Sequence, residues 1–270
     1  MKGERTFNDE LAVVDLGVGK NMVTAISYWL KAYGICNQSN EITALGLNLF
    51  NDKTGYDPYL ENLGSIWLLH YSLIKSEKAS IYHLFFNEFR RDKFQFTREQ
   101  LLNSLLRKLE GNQQNNVNAN TINTDISVFI RNYLKSGFRH RKIDIEDEFS
   151  NLFVDLELME SYQSENAEQI VVEWYKVEND IRVDLPAEVV LFTILDNDGY
   201  GNSISFKELL VGVKSPGAVF ALSDEGLYNK IEQIQAMHPD ITYTESAGVR
   251  ELQFKSKPDK WKILHEYYNN

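Results

Sequence analysis

Three carboxylates alternate in the acidic stretch "KIDIEDEF". If this stretch is a β-strand, Asp144, Glu146 and Glu148 share one face, because successive side chains of a strand point to opposite sides. Carboxylate oxygens are favoured ligands of Mg²⁺ and Mn²⁺. The spacing therefore predicts a site for Mg²⁺ or Mn²⁺ that serves phosphodiester chemistry, with a solvated strand face as the alternative.

A glycine-flanked lysine in "LGVGKN" is the second candidate for phosphate chemistry. It resembles a phosphate-binding loop, but Val14 stands where that loop needs its first glycine, and Asn21 replaces the serine or threonine that would ligate magnesium. The stretch also suits a helix-turn-helix, whose second helix would begin with Lys20 and Asn21 and could meet a DNA phosphate there. We therefore predict DNA contact here, and no nucleotide or organic cofactor.

The helix predicted after this turn has an apolar face and a polar face. Thr24 and Ser27 lie on the polar face and complete the predicted contact with DNA. A second amphipathic helix, "ANTINTDISVFIRNYL", exposes short polar side chains and one cation, Arg131. Helices of this kind that contact only protein are the alternative interpretation.

Two other chemical possibilities find little support. The stretch "DNDGYGNSISFKE" resembles a calcium loop through Asp196, Asp198 and Gly201, but Lys207 replaces the bidentate glutamate at its twelfth position. We predict a polar loop between helices instead. No pattern of serine, cysteine or histidine indicates a nucleophile with its base, so the catalytic residues are unknown from the sequence.

Local signals predict three helix starts. Asp57-Pro58 is a helix entry, with Pro58 at the first helical position. Thr97 with Gln100 three residues later is a capping box, and Ser223 is an N-cap.

The elements that carry these residues follow a recurring order. Helix, turn and helix are followed by extended or polar residues three times, and the last time by a hairpin around Ala247-Gly248. The fold class predicted is mainly α with short β-hairpins: several winged-helix-like units around a helical core near residues 57–90. The predicted domains are a winged-helix-like unit (1–56), the helical core with a second helix-turn-helix unit (57–143), and an acidic C-terminal region with a third winged-helix-like unit (144–270).

Charge is divided unevenly along the 270 residues, whose net charge is −11. Residues 1–143 carry a net +4 and residues 144–270 a net −15. A mildly basic half suits nucleic acid, and an acidic half suits solvent, a metal ion or a basic partner. A single cysteine, no signal peptide and no apolar stretch near the roughly 20 residues of a membrane span predict a cytoplasmic protein without membrane association.

Several stretches together resemble domain-of-unknown-function family 4007, a bacterial family. The two most distinctive are "LGVGKNMVTAISYWLKAYG" and "DPYLENLGSIWLLHYSL", and others follow in order over nearly the whole chain. Family members usually begin with a motif like G-H-E-T-F and an aromatic-rich helix, whereas only "MKGERTF" stands near the start here. If that missing segment serves the family's activity, this protein would lack it.

The resemblance implies a role in bacterial DNA phosphorothioation and phage defence, where a member of the Ssp-type system is regarded as a DNA-nicking enzyme. It also implies DNA and other modification proteins as partners: a cysteine desulfurase, a sulfurtransferase-like protein and an ATPase. The leading expectation is a DNA-binding, metal-dependent nickase. A non-catalytic winged-helix adaptor that holds DNA or partner proteins is the alternative, and a purely structural protein is the third.

Overall fold

The computed structural model describes residues 12–111, 118–134, 151–165 and 169–270. They are mostly helical, with two antiparallel sheets of three strands each. The helices are α1 Ala12–Leu16, α2 Lys20–Ala32, α3 Ala44–Phe50, α4 Leu63–Ser76, α5 Ser80–Leu84, α6 Arg90–Asp92, α7 Arg98–Gly111, α8 Ala119–Tyr133, α9 Ala187–Leu195, α10 Phe206–Val211, α11 Pro216–Val219, α12 Asp224–Met237 and α13 Lys260–Asn269. The strands are β1 Gln95–Phe96, β2 Glu160–Glu165, β3 Val171–Lys176, β4 Ser203–Ser205, β5 Ile241–Ser246 and β6 Val249–Phe254.

Helix α4 lies at the centre of the fold. It is apolar around most of its circumference, as expected of a helix enclosed by protein, and the run from Gly64 to Tyr71 is entirely buried. Helix α5 continues through a π-helical turn, Phe85–Phe89, into α6. The helical core predicted near residues 57–90 is therefore present. Among the described residues, no helix is long and apolar enough to cross a lipid bilayer.

The start of α4 differs from the sequence expectation. Pro58 was expected at the first helical position, but the Asp57 carboxylate instead accepts the backbone N–H groups of Glu61 and Asn62, at 2.9 and 3.0 Å. Leu60 takes a left-handed φ of 55°, which ends the turn. Asn62 then caps the helix by accepting the N–H of Gly64 at 2.7 Å. Local side-chain bonds thus delay the helix by one turn.

The same order of elements occurs twice after α4. Among the described residues, a short strand is followed by two helices and a hairpin, first as β1, α7, α8, β2 and β3 with the 3₁₀ helix Val154–Leu156 inserted, then as β4, α10, α12, β5 and β6 with α11 inserted. In both sheets the last strand lies in the middle, giving the orders β1-β3-β2 and β4-β6-β5. The second hairpin turns at Ala247 and Gly248, both with positive φ, as a two-residue hairpin turn requires. The hairpin predicted there is confirmed.

His70 of α4 is completely buried among aromatic rings. The rings of Phe86 and Phe153 lie edge-on to it, with centroids 4.8 and 5.1 Å away. Neither ring nitrogen has a hydrogen-bond partner among the described residues. Burial, and then the charges of Arg182 and Arg90, lower the pKa of His70 to about 3. The imidazole is therefore neutral in the folded protein at physiological pH.

Burial of His70 predicts a pH dependence of stability. Below pH 6.5, the usual pKa of histidine, the unfolded chain binds a proton that the folded chain excludes. The free energy of unfolding should fall by about 1.4 kcal/mol per pH unit from this group, down to its folded pKa near 3. His70→Phe keeps the ring contacts. Between pH 7 and pH 5 its free energy of unfolding should fall by about 2 kcal/mol less than that of the wild type.

Urea unfolding of both proteins at several pH values measures this difference. His265→Gln, a change at an exposed histidine of α13, is the control and should keep the wild-type slope. Equal slopes for wild type and His70→Phe would contradict the neutral buried imidazole.

Candidate nucleic-acid interface

Helix α2 begins with an open N-terminus. Gly17 supplies the turn before it with a left-handed φ of 67°, a conformation that glycine adopts without strain. Gly19 is the N-cap residue and provides no side-chain hydrogen bond to the first turn. The backbone N–H groups of Lys20 and Asn21 therefore face outward from the positive end of the helix dipole, where an anion is favoured.

The polar face of α2 carries the four residues predicted to contact DNA. Lys20, Asn21 and Thr24 are exposed. The Thr24 hydroxyl donates to the Lys20 carbonyl oxygen at 3.1 Å. Ser27 is half-buried and donates to Oδ1 of Asn40 at 3.2 Å. Three of the four side chains are thus placed for an outside ligand, whereas the Ser27 hydroxyl already holds the loop after α2.

Lys78 extends this face although it lies far away in the sequence. Its ammonium nitrogen is 5.6 Å from the centroid of the Tyr28 ring. The Tyr28 hydroxyl donates to the Lys78 carbonyl oxygen at 3.3 Å. Tyr28 is 41% exposed, so its ring is open to a ligand, whereas Lys78 is half-buried and its ammonium also donates to Oε1 of Gln38 at 3.3 Å. Nothing in the local pattern around Lys78 indicates this role, because it depends on how α4 packs against α2.

Helix α8 lies beside α2. Burial, and then the charge of Asp125 on α8, raise the pKa of the Tyr28 hydroxyl on α2. A line of rings, Trp29, Tyr82 and Phe129, joins the two helices underneath, with successive centroids 6.3 and 5.2 Å apart. The polar face of α2 around Tyr28 and that of α8 around Asp125 therefore lie close to each other, at one surface.

We call this surface the α2–α8 face. It is defined by the exposed polar residues of both helices and by the half-buried Lys78 from the turn after α4. The residues are Lys20, Asn21, Thr24, Tyr28, Lys78, Asn120, Thr121, Thr124 and Asp125. Arg131 lies two turns after Thr124 on the same side of α8 and is half-buried in the last turn. Lys20 is about 12 Å along α2 from Tyr28, so the predicted residues are spread along the surface.

The comparisons with known proteins place the chain in a family. The family described as "Protein of unknown function (DUF4007)" matches residues 1–268. The chain is a member of this family. Two solved structures resemble it with a TM-score of 0.79 and cover 100% of this chain and 82% of theirs: "SspB crystal structure", 27% identical, and "Magnesium ion-bound SspB crystal structure", 26% identical. The comparison with curated proteins gives no match.

The magnesium in one neighbour raises the question of where this DUF4007 protein would hold a metal ion. The predicted ligands Asp144, Glu146 and Glu148 lie outside the described residues. Within the described ranges, no group of three or more histidine, cysteine, aspartate or glutamate residues is placed to hold a metal.

The loop that resembles a calcium site has another role in this DUF4007 protein. Lys75 and Lys260 approach the Asp196 carboxylate at 2.6 and 2.5 Å. The Tyr71 hydroxyl donates to the same carboxylate at 3.0 Å. Only 13% of the Asp196 side chain is exposed. Its oxygens thus form ion pairs with two ammonium groups. The loop therefore connects α4, α9 and α13, as expected of a structural loop.

This network predicts a specific loss of stability. Asp196→Asn removes the charge that neutralises Lys75 and Lys260, and should lower the free energy of unfolding by about 2 kcal/mol. Asp198→Asn changes an exposed neighbour in the same loop and should cost less than about 0.5 kcal/mol. Urea unfolding of both variants checks this, and equal losses would contradict the role given to Asp196.

Proposed function

We propose that the protein is a DNA-binding component of a bacterial DNA phosphorothioate modification and phage-defence system, and that duplex DNA docks on the α2–α8 face. The observation that carries the proposal is the joining of two lysines, an uncapped helix N-terminus and exposed amide and hydroxyl groups on one surface. Family membership and the likeness to two SspB structures support the phosphorothioation context.

The repeated order of elements supports a winged-helix interpretation of the two units after α4. A short strand, two helices and a hairpin with the last strand in the middle are typical of winged helices. In such a unit the second of the two helices faces the DNA groove. That helix is α8 in the first unit, which agrees with its place on the α2–α8 face.

The second winged-helix-like unit is better suited to a protein partner. Its corresponding helix, α12, begins with Asp224 and Glu225 and exposes Glu232. Arg250 of the hairpin is held by Asp224 in a two-point ion pair, at 2.9 and 3.1 Å. Carboxylates on this helix would repel DNA phosphates. We therefore assign DNA to the α2–α8 face and a basic protein surface to α12.

Each lysine on the α2–α8 face would contact phosphate without reading sequence. Phosphate contacts by lysine displace condensed counterions, so binding weakens as salt rises. The short polar side chains Asn120, Thr121 and Thr124 on α8 suit hydrogen bonds to base edges or phosphates. Asp125 is the one carboxylate in the set that defines the face, and burial raises its pKa.

Lysine substitutions on this face should weaken DNA binding in a salt-dependent way. The plot of log K against log salt concentration has a negative slope. Lys20→Gln and Lys78→Gln should each make this slope shallower by about 0.9. The loss should be similar for unrelated duplex sequences, since phosphate contacts carry no sequence information. Fluorescence anisotropy with a labelled duplex at several salt concentrations measures both effects.

Lys262→Gln is the matched control, because this lysine of α13 is 72% exposed and lies outside the α2–α8 face. It should leave affinity and salt slope near the wild-type values. Lys20 and Lys78 variants that bind as tightly as wild type would exclude this face as the docking site.

Metal-dependent nicking of DNA is the second candidate function. It is favoured by the likeness to a magnesium-bound SspB structure and by the acidic alternation of Asp144, Glu146 and Glu148. Those three carboxylates remain the proposed ligands of Mg²⁺ or Mn²⁺. The non-catalytic adaptor is favoured instead by the acidic C-terminal half, since residues 144–270 carry a net charge of −15.

A plasmid assay separates these candidates. Under the nicking proposal, supercoiled plasmid with the protein and Mg²⁺ or Mn²⁺ should become open circle, and EDTA should prevent it. Glu146→Gln should reduce the rate at least about 100-fold while duplex binding is retained. Duplex binding without any conversion across metals and salts would leave the adaptor as the function.

A further inference from the structure

A groove of about 560 Å³ lies between the two winged-helix-like units. One side comes from α6 and the residues after it, and the other from α10 and α11. Its lining combines cationic, amide and apolar groups: Arg90, Arg91, Phe94, Glu178, Asn179, Leu210, Val211, Gly217 and Ala218. This combination differs from a packed interface, which would be closed and apolar.

Arg90 forms the floor of the groove and carries a charge that no carboxylate of the described residues balances. It is 8% exposed. Its guanidinium donates to Oδ1 of Asn179 and to the carbonyl oxygen of Ala218, the latter at 3.1 Å. No described carboxylate approaches it within ion-pair distance. A buried charge is normally paired, so an anion bound in the groove would stabilise this guanidinium.

Arg91 adds a second cation at the rim. Its side chain is exposed, and one of its nitrogens donates to the carbonyl oxygen of Val211 across the groove. A guanidinium has five N–H donors, so most remain free for a ligand. Glu178 is the acidic lining residue, and Lys176 pairs with it at 2.8 Å. The groove thus keeps a positive charge.

Phe94 gives the groove an apolar wall beside these cations. It is 51% exposed although it is a large aromatic residue. Val211 opposite it is 44% exposed. An exposed ring next to guanidinium groups matches a ligand with a planar ring and an anion, because nucleobases stack on aromatic side chains and arginine binds phosphate through paired hydrogen bonds.

We propose that this groove binds a nucleotide carrying a terminal phosphate, with the phosphate on Arg90 and Arg91 and the base against Phe94. The ligand is either a free mononucleotide or the phosphorylated end of a single DNA strand, which share this chemistry. The site is separate from the α2–α8 face and does not resemble a phosphate-binding loop. It does not depend on the proposed docking of duplex DNA.

Calorimetric titration of the full-length protein tests the proposal. The probes are deoxyadenosine monophosphate, deoxyadenosine, and an eight-nucleotide thymidine oligomer with and without a 5′ phosphate. At least one phosphorylated probe should bind saturably, and its unphosphorylated counterpart should bind at least about tenfold more weakly. Binding of the monophosphate assigns a free nucleotide as ligand, and binding of the phosphorylated oligomer alone assigns a strand end.

Two exposed side chains allow substitution without disturbing the core. Arg91→Gln and Phe94→Ala should each weaken the phosphorylated probe about tenfold. Lys93→Gln alters an exposed cation in the same segment that does not line the groove, and should bind as wild type. Duplex binding, which depends on Lys20 and Lys78 under the other proposal, should be unchanged in all three variants.

Two results would overturn the proposal: no saturable binding of either phosphorylated probe, or equal binding by wild type, Arg91→Gln and Phe94→Ala. Thermal unfolding of each variant verifies that its fold is intact. A failure of duplex docking on the α2–α8 face would leave these results unaffected, so the two proposals fail separately.

Discussion

The enclosure of α4 is the constraint on which the rest of the structure depends. A helix that is apolar on nearly all sides must be covered on nearly all sides, because each exposed apolar side chain would cost about 1.5–3 kcal/mol. Its few polar groups fix what covers it. Ser72 and Ser76 donate to the carbonyl oxygens of Tyr33 and Ala32 at the end of α2, both at 2.7 Å. Ser65 and the Tyr268 hydroxyl of α13 are 2.7 Å apart.

This packing determines where the candidate interface lies. At the end of α2, Gly34 has a left-handed φ of 68°, and a Cβ there would be 2.6 Å from the Ser72 hydroxyl. The close approach fixes the direction of α2 relative to α4. The turn after α4 then brings Lys78 under the Tyr28 ring. A surface that reads as a simple polar helix face is therefore assembled from segments that only the core brings together.

Elements specified by local chemistry could be predicted from the sequence. The reciprocal bonds between Thr97 and Gln100 form the predicted capping box, both at 3.3 Å, and Ser223 caps α12 as expected. The helix entry at Pro58 was wrong because the Asp57 carboxylate competes for the same backbone. Such competition has the same sequence signal as a helix start, so the pattern alone could not distinguish them.

The candidate sites were less predictable, because they depend on contacts between distant residues. Lys20, Asn21 and Thr24 are exposed as their spacing predicts, yet their contact with DNA stays a prediction. Lys78 had no local signal, and Asn179, which follows the last strand of the first unit, meets Arg90 from 89 residues away in the sequence. Periodicity identifies which face of one helix is polar. It carries no information about which other segment completes that face.

The two units of short strand, two helices and hairpin illustrate how a shared topology leaves function open. Both place a helix between a short strand and a hairpin, but α8 presents amide and hydroxyl groups where α12 presents carboxylates. Packing of each helix uses only its apolar side, so the outward residues are free to differ without changing the fold. The residues that line the groove between the units can likewise differ without changing the fold. The apolar sides pack inward, and the segment just before the first unit is left to carry Arg90, Arg91 and Phe94 at the edge of the groove.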